Sequence, residues 1–487
     1  MIYSLRIVGF VAALALAPSI LTAQVTWDFP EPIDVADIDF GNRCPRLVLD
    51  ASGDPVVFMG KNNDGLYVAT SENGTFNSPT AVPTEAGVFL SDAEGPDVAT
   101  WGNTIGLAYQ ISGEWATGAQ FMRSDDGGLT WSTSYPIAPD ATEDHFMPIP
   151  AFDDDGNPFV ALKLGSGNNA QEGVLRSDDG GQTWGAAQPA SLQAGNGVAC
   201  ECCPSRTIYG NGRYHTIYRR NNDNTRDMWL VSSQDGVTWD QALDLDPTDW
   251  QINACPETGA SSEWLPTGQL ASVFMSAGEG SSKVYLNVSN PEEDEPGLTV
   301  ALTSLQYESP TQNQPDLAIG PNHIAVAWEQ TFGSWEVMLS VASVNSLPSG
   351  LIDVADPLSE SLSGSNRHPD VAIHGSTLHV IWQNSASGTV KYMRGTLDES
   401  SSLPSGPPAL QPELRRLGSD QINLVNTTPN STYRILQANG SVLFEGQTDG
   451  SGAATLPSRF ASQGAPVVLV QAMGISSPVM LRLRVAH

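Results

Sequence analysis

The sequence has little positive charge. It contains 22 basic residues against 54 acidic ones, which gives a formal net charge of −32. Its only lysines are Lys61, Lys163, Lys283 and Lys391. A negative field of this strength opposes binding to nucleic-acid phosphates and to anionic membrane surfaces. Long helical patterns are lacking too, whereas 46 glycines and 34 prolines punctuate the chain. The composition therefore excludes nucleic acid as a partner and predicts an all-β fold.

Long apolar runs are confined to the N-terminus. Arg6 precedes a mostly apolar stretch over residues 7–21, and the small pair Thr22-Ala23 follows it. This order of a basic residue, an apolar segment and small residues is typical of a secretory signal peptide, which we predict over residues 1–23. The stretch is short for a membrane span and is broken by Pro18. We therefore expect a secreted or cell-surface protein with no membrane span.

An eight-residue pattern, S-x-D-x-G-x-T-W, occurs at 124–131 and again at 177–184, with a shortened copy at 233–239. In such a pattern, Ser and Asp side chains bind the backbone of a tight turn, and Gly supplies a positive φ. The Trp ring packs between neighbouring strands. The pattern resembles the Asp-box of sialidases and related β-propellers. The resemblance implies a propeller fold, whereas a shared fold leaves the reaction open.

A second repeat has a proline that opens an apolar strand. Its successive copies are 51 to 59 residues apart and begin at Pro45, Pro96, Pro148, Pro204, Pro256, Pro315 and Pro369. A repeat of this length that carries about four short strands is the signature of a propeller blade. We predict a β-propeller over residues 25–400 with seven blades, and six blades plus an irregular insert is the alternative.

The segment after the repeats differs in composition. Residues 401–412 are rich in proline and serine, which predicts a stiff linker. Residues 413–487 alternate in β fashion, which predicts a small C-terminal β-sandwich. Within it, residues 433–440 and Gly446 resemble the C-terminal sorting domains of type IX secretion substrates. A small accessory β domain is the alternative interpretation.

The strand that opens the first repeat suggests a binding site. Its sequence, N-R-C-P-R-L over residues 42–47, resembles the sialidase motif in which an Arg begins the innermost strand, with Cys in place of Ile. The resemblance implies that Arg43 binds the substrate carboxylate. Other side chains at equivalent strand ends would share this face of the propeller. The predicted substrate-binding residues are Arg43, Arg219, Arg220, Arg226, Arg367 and Trp382. Guanidinium groups match carboxylates and sulfates, so we expect an acidic glycan or glycoconjugate as partner.

The catalytic residues are less clearly marked. Asp64 stands where sialidases place their acid/base carboxylate, but the entry to the last blade, N-R-H-P, lacks the sialidase Tyr nucleophile. Glycoside hydrolysis needs a second carboxylate or an equivalent nucleophile. The catalytic candidates are Asp64, Asp227, Tyr307 and Glu329. A glycoside hydrolase is the leading hypothesis; a polysaccharide lyase with His145 as base, or a non-catalytic propeller that binds a glycan or a protein, are the alternatives.

The five cysteines allow two interpretations. Export favours disulfides among Cys200, Cys202, Cys203 and Cys255, which permit three complete pairings. Alternatively, some cysteines and a histidine precede strand-opening prolines and would meet at the central channel. This second set consists of Cys44, Cys203, Cys255 and His368. Thiolate and imidazole ligands suit copper or zinc, which would make the protein a metal-binding propeller; the other hypotheses require no cofactor.

Overall fold

The computed structural model describes residues 25–36, 43–61, 65–85, 87–91, 94–302, 311–331, 333–347 and 357–398, together with the strands and a few flanking residues of 413–483. The chain divides into two units, residues 1–402 and residues 403–487. The predicted signal peptide and linker lie outside the described residues. Among the residues that are described, no helix is long and apolar enough to span a membrane.

The first unit contains seven antiparallel sheets, which confirms the prediction of seven blades. In each sheet, consecutive strands pair with one another as hairpins. The inner strands of blades one to seven are Arg43–Leu49, Asp97–Trp101, His145–Phe152, Arg206–Gly210, Ala260–Trp264, Gln312–Ile319 and Asn366–His374. The repeated proline lies within the first four residues of the inner strand in blades one, three, six and seven, and it precedes that strand by one to four residues in blades two, four and five. The proline register therefore marks every blade.

The outer part of each blade is built from the strands that follow. The second strands are Pro55–Lys61, Thr104–Gln110, Pro158–Leu164, Arg213–Arg219, Leu270–Ser276, His323–Thr331 and Thr377–Asn384. The third strands are Gly65–Glu72, Ala119–Ser124, Gln171–Arg176, Met228–Ser233, Lys283–Asn290, Trp335–Ser343 and Thr389–Leu397. The outermost strands are Thr75–Phe76, Thr80–Ala81, Tyr135–Pro136, Trp239–Asp244 and Glu295–Ala301. Within the described part of the chain, helical structure is limited to single turns at Gly167–Asn169, Ala190–Gln193, Pro291–Glu293 and Val344–Ser346.

The ring is closed by its own N-terminal segment. The strand Val25–Trp27 pairs with Thr389–Leu397 of blade seven, and Ile33–Asp34 pairs with the same strand. An ion pair between Asp34 and Lys391, with Oδ1 and Nζ 2.6 Å apart, strengthens this closure. Blade seven is therefore completed by residues from both ends of the propeller.

The hydrophobic core is divided between the blades. The described residues form seven buried clusters, each of which joins side chains of two neighbouring blades. Between blades three and four, for example, Phe159 packs against Tyr214 with ring centroids 4.9 Å apart. A single sheet has two apolar faces, and stacking around an axis buries both of them. The clusters explain why the repeat occurs as a closed ring.

The Asp-boxes form the expected turns between outer strands. In the second copy, the Ser177 hydroxyl accepts a hydrogen bond from the Gly181 N–H at 2.8 Å. Asp179 accepts hydrogen bonds from the backbone and the hydroxyl of Thr183 at 2.9 and 2.6 Å. The Thr183 bonds, joined by others from the same turn, lower the pKa of Asp179 to about 2. The motif thus stabilises a turn through its own side chains, as predicted.

The second unit is also built from strands. One antiparallel sheet contains Glu413–Arg416, Ile422–Val425 and Ala454–Thr455. A second contains Thr432–Leu436, Val442–Gln447, Val468–Met473 and Pro478–Leu483. The described residues of this unit are therefore all-β, like those of the propeller.

Candidate functional site

A β-bulge recurs where the inner strands begin. The pairing register shifts between residues 43 and 46, and again at the equivalent positions of blades three, six and seven. The residue before the proline has a positive φ in each case: 49° at Cys44, 57° at Met147, 45° at Gln314 and 54° at His368. A positive φ is uncommon for residues with side chains, and such strained positions cluster at functional sites. We call the ring of residues that stand two positions before each proline the channel mouth: Arg43, Glu94, Phe146, Cys202, Ala254, Asn313 and Arg367.

Behind the channel mouth lies a central channel of about 520 Å³, lined by the inner strands of all seven blades. Two carboxylates in it link neighbouring blades. Asp370 accepts a hydrogen bond from the Leu47 N–H at 3.1 Å, and Asp316 accepts one from the Val371 N–H at 2.9 Å. Burial, together with the neighbouring charge of Asp316, raises the pKa of Asp370 well above its ordinary value. These two acids therefore hold inner strands together across blades.

Glu94 is a carboxylic acid at the channel mouth that sequence reasoning missed. It lies against blade one, where the Cys44 thiol donates to its backbone carbonyl at 3.4 Å. Burial raises the pKa of Glu94 to about 7, although a hydrogen bond from the Met147 backbone partly offsets this. Its Oε1 is buried and accepts no hydrogen bond from the described residues. The sequence did contain one signal for it: Glu94 stands two residues before the repeated Pro96, just as Arg43 stands two residues before Pro45.

Three aromatic rings of blades two and three pack together, and one of them, Phe146, directly precedes Met147, whose backbone hydrogen-bonds to Glu94. Phe89 and Trp115 are in edge-to-face contact with centroids 5.0 Å apart, and Phe146 contacts the other side of Trp115 at 6.5 Å. Trp115 is solvent-accessible, with 39% of the residue exposed. We call these three rings the aromatic patch. An exposed indole offers an apolar face with a polar edge, a surface suited to the apolar face of a sugar ring.

Arg367 and Glu329 form an ion pair at the channel mouth. Arg367 Nη2 lies 3.0 Å from Glu329 Oε1, and its Nε lies 3.2 Å from Oε2. Glu329 is fully buried, whereas the Arg367 side chain is 27% exposed. The guanidinium also lies 5.3 Å from the ring centre of Trp335. Glu329 thus orients Arg367, and part of Arg367 remains accessible from the solvent.

Two predicted binding residues lie inside the fold. Arg219 is fully buried and donates hydrogen bonds to the carbonyls of Arg226 and Met275 at 2.8 and 2.7 Å. Trp382 is fully buried as well, and its indole N–H donates to Asn366 at 3.1 Å. The structure therefore does not bring these two side chains to the solvent-facing surface that the prediction assigned to them.

The remaining basic candidates are spread over blades one and four. The Arg226 guanidinium donates to the Cys200 sulfur at 2.8 Å, and the Arg220 guanidinium lies 5.0 Å from the ring centre of Trp229. The Arg43 backbone pairs with Gly60. The side chain of Arg43 lies outside the described residues, and so do Asp64 and Tyr307. Of the four arginines whose side chains are described, Arg219 and Arg226 are buried, so these four do not form one exposed cluster.

Asp227 is a second carboxyl group with a raised pKa. Burial raises this pKa to about 7, helped by the nearby Asp246 and Asp244 and opposed by a hydrogen bond from the Trp250 N–H. That hydrogen bond is 2.8 Å long, and the residue is only 5% exposed. Asp227 therefore lies beneath the surface of blade four.

The cysteines pair differently from the predicted metal set. Cys202 and Cys255 form a disulfide, while Cys200 and Cys203 are buried thiols with sulfurs 2.9 Å apart. Cys44 instead contacts blade two, where its thiol donates to the Ser91 carbonyl at 3.0 Å. The four residues Cys44, Cys203, Cys255 and His368 are thus not brought together. The sulfurs of the disulfide cannot act as thiolates, and two thiols are too few for the four ligands of structural zinc. Bound copper or zinc stays a prediction.

Comparison with known proteins identifies related folds. A family model described as a BNR repeat-like domain matches residues 26–306. A Trypanosoma rangeli sialidase is 10% identical, with 94% of this chain and 89% of that chain covered and a TM-score of 0.44. A Hadza microbial sialidase is 15% identical over 75% of this chain and 68% of that chain, with a TM-score of 0.39. An α-L-arabinanase of Penicillium chrysogenum is 15% identical over 78% of this chain and 99% of that chain, with a TM-score of 0.36. No curated protein matches. At these identities and TM-scores, the solved structures carry no argument about the reaction.

Proposed function

The chain belongs to the family of BNR repeat-like domains, and from this membership we propose that it is a secreted, sialidase-like glycoside hydrolase that acts on an acidic glycan at the channel mouth. The observation that carries the proposal is Glu94, a carboxyl group at the channel mouth whose pKa is raised to about 7 and whose hydrogen-bond partner Met147 directly follows Phe146 of the aromatic patch. A carboxylic acid that keeps its proton near neutral pH can protonate the leaving oxygen of a glycosidic bond.

Binding of the anionic group is assigned to basic residues of blades one and seven. Arg367 is oriented by Glu329 and partly exposed, so it can bind a carboxylate or sulfate of the ligand. Arg43 precedes its proline in the same register and comes from the adjacent blade. Guanidinium groups bind such anions in bidentate geometry. The sugar ring would then lie on Trp115, on the side of the mouth where Glu94 is found.

The second reacting group is assigned to Tyr307, which the sequence offered as a nucleophile, or to Asp64, which the sequence offered as the acid/base carboxylate and which Glu94 would replace in that role. Glu329 is not suited to this role, because it is fully buried and both of its oxygens bind Arg367. This ion pair also favours the second candidate function, a propeller that binds an acidic glycan without cleaving it. The two functions share the binding residues, and only the hydrolase requires Glu94 and the second reacting group.

The test uses mature protein, residues 24–487, with fluorogenic sialosides and with sulfated and uronate-containing glycans. We expect Glu94→Gln to lower kcat about 100-fold or more while ligand binding is retained, since a general acid contributes on that order. Arg367→Ala should weaken binding. Glu114→Gln, an exposed carboxyl in the same blade, is the matched control and should behave as wild type.

The pH profile supplies a second readout. Glu94 is protonated below its pKa of about 7, so turnover should fall as the pH rises through 7, and Glu94→Gln should remove this limb. Binding that is lost in Arg367→Ala, without any turnover, would support the non-catalytic function. Absence of both turnover and binding on every glycan would refute the proposal.

We also propose that residues 1–23 direct export and that residues 413–487 act as a sorting domain for the cell surface. The basic residue and apolar stretch at the N-terminus and the β strands of the second unit support this assignment. Expression in a host with a type IX secretion system, with and without residues 403–487, tests it. The full chain should reach the surface or the medium, whereas the truncated chain should stay in the periplasm. Equal export of both chains would contradict the sorting role.

A further inference from the structure

Four cysteines meet where blades four and five begin. Cys202 belongs to the channel mouth, and its disulfide partner Cys255 lies 53 residues later, directly before Pro256. Cys200 and Cys203 are fully buried beneath them. Cys202 is half-buried, and Cys255 is exposed. The cluster therefore runs from the interior to the solvent, with thiols at the buried end and a disulfide at the exposed end.

The distances between the sulfurs place a thiol beside the disulfide. Cys200 Sγ lies 2.9 Å from Cys203 Sγ and 3.5 Å from Cys202 Sγ. Thiol–disulfide exchange begins when a thiolate attacks a disulfide sulfur. Reacting atoms held about 3–3.5 Å apart are at the separation of a near-attack conformation. Cys200 is thus in reach of one sulfur of the Cys202–Cys255 disulfide.

The surroundings of Cys200 favour its thiolate form. Arg226 donates a hydrogen bond to Cys200 Sγ at 2.8 Å, and its own Nε is held by the Ile252 carbonyl at 3.3 Å. The hydrogen bond between the Cys200 and Cys203 sulfurs, which are 2.9 Å apart, adds to the contact with the Arg226 guanidinium, and both contacts stabilise a negative charge on Cys200.

Cys203 is the partner of Cys200 in this contact. It is fully buried, and its sulfur hydrogen-bonds to Cys200 Sγ. Cys200-Glu201-Cys202-Cys203 has the C-x-x-C spacing that lowers the pKa of one thiol in redox-active pairs. The two buried sulfurs therefore differ in role: one is a nucleophile, and the other is a proton donor.

We propose that Cys200, Cys202, Cys203 and Cys255 form a thiol–disulfide exchange centre in which Cys200 is the nucleophile and Cys255 is the leaving thiol. In the first step, Cys200 Sγ bonds to Cys202 Sγ, the Cys202–Cys255 bond breaks, and its electron pair leaves with Cys255. In the second step, Cys203 gives up its proton and attacks Cys200 Sγ, which displaces Cys202. The proton passes to the released thiolate of Cys255.

The exchange moves one disulfide and changes no net oxidation state. One S–S bond breaks and one forms in each step, so that no outside oxidant or reductant is needed. The product carries a buried Cys200–Cys203 disulfide and two thiols, at Cys202 and Cys255. It loses the covalent link between the entries of blades four and five, and it presents a reactive Cys255 thiol to solvent at the channel mouth. This inference is independent of the proposed glycan reaction.

Trypsin provides a direct readout of the exchange. Cleavage after Arg176 and Arg206 places Cys200, Cys202 and Cys203 in one peptide, and cleavage after Arg226 and Lys283 places Cys255 in another. The native disulfide cross-links these two peptides. Folded mature protein is incubated with N-ethylmaleimide at pH 6, digested without reductant and analysed by mass spectrometry. We expect the peptides to separate with time, with an alkylated Cys255 and an internal disulfide in the other peptide.

Variants distinguish exchange from simple exposure. Cys200→Ser should lower the rate of separation at least about tenfold, because it removes the nucleophile. Arg226→Gln should slow separation about tenfold at pH 6, since less of Cys200 is then thiolate and the gain in nucleophilicity offsets only part of the loss. The two peptides of Cys203→Ser should still separate, because this variant keeps the nucleophile of the first step. Cys44→Ser, a buried cysteine outside the cluster, is the control and should match wild type.

Several results would overturn the proposal. The wild-type peptides could stay cross-linked while Cys200 itself is alkylated, which would mean a fixed disulfide. Equal separation in wild type and Cys200→Ser would mean that another group attacks. Native mass spectrometry that finds a stoichiometric metal ion lost in Cys200→Ser, or a second disulfide in the protein as isolated, would leave Cys200 without a nucleophilic role.

Discussion

The ion pair between Lys163 and Glu172 gives a sharp prediction about stability. Both side chains are fully buried between blades three and four, with Lys163 Nζ 2.6 Å from Glu172 Oε2. Lys163 also donates to the Ser205 hydroxyl at 2.6 Å, and Glu172 accepts from the Thr216 hydroxyl at 3.0 Å. Lys163→Met keeps most of the volume of the side chain but removes the cation. It leaves the Glu172 carboxylate buried without its counter-ion.

Breaking a buried pair by removing one partner costs about 3–5 kcal/mol, because an uncompensated charge remains in the interior. We therefore expect Lys163→Met to lower the free energy of unfolding by about that amount. Replacing both residues by apolar ones removes both charges, and such exchanges are often close to neutral. The double variant Lys163→Met/Glu172→Leu should thus recover most of the stability that the single variant loses.

Urea unfolding at pH 7, followed by tryptophan fluorescence, measures these differences in the mature protein. The four proteins of the double-mutant cycle are wild type, Lys163→Met, Glu172→Leu and the double variant. A loss of less than about 1 kcal/mol in Lys163→Met would refute the reasoning about the buried charge. So would a double variant whose loss equals the sum of the two single losses, since the two side chains would then be energetically independent.

Two further predictions concern the second Asp-box. Gly181 has a φ of 94°, and a Cβ there would lie 2.3 Å from the Phe121 ring. Gly181→Ala should therefore lower the free energy of unfolding by about 2–4 kcal/mol, because backbone strain and overpacking combine. Urea unfolding measures this loss. Gly195→Ala, with a φ of 71° and open space around it, is the matched control and should cost about 1 kcal/mol. Asp179 has a pKa lowered to about 2, so its contribution to stability is present above its ordinary pKa and is lost as the pH falls towards 2. In Asp179→Asn, the melting temperature should therefore fall less steeply than in wild type as the pH is lowered from 4 to 2. The same steepness in both proteins would contradict this assignment.

The fold was predictable because its signals are local and repeated. The prolines that open inner strands recur at a fixed register, and residues such as Gly181 and Asp179 fix a turn whatever surrounds them. The propeller then follows from the need to bury both faces of each sheet. Blade number was settled by the structure, where one buried cluster lies between each pair of neighbouring blades.

The candidate site was less predictable because side-chain direction depends on distant partners. Arg219 ends a strand, as a binding residue would, yet its guanidinium bonds the carbonyl of Met275, 56 residues away. Glu94 looked like an ordinary loop residue, and its raised pKa arises from burial that only the packed blades create. The disulfide between Cys202 and Cys255 likewise depends on how adjacent blades meet. Sequence spacing contains none of this information.

The closure of the ring has a consequence for the order of folding. The ion pairs that accompany it, Asp34 with Lys391 and Asp28 with Arg394, join residues 357 and 366 positions apart. Strand pairs within one blade need only a short loop, whereas contacts of such long range must overcome a larger loss of chain entropy. We expect the hairpins to form first and the ring to close last. Until Thr389–Leu397 has been synthesised, Val25–Trp27 has no strand to pair with, and the growing stack of blades keeps apolar faces exposed. Pairing of the N-terminal strand with blade seven is therefore the step at which the chain passes from an aggregation-prone intermediate to a closed ring.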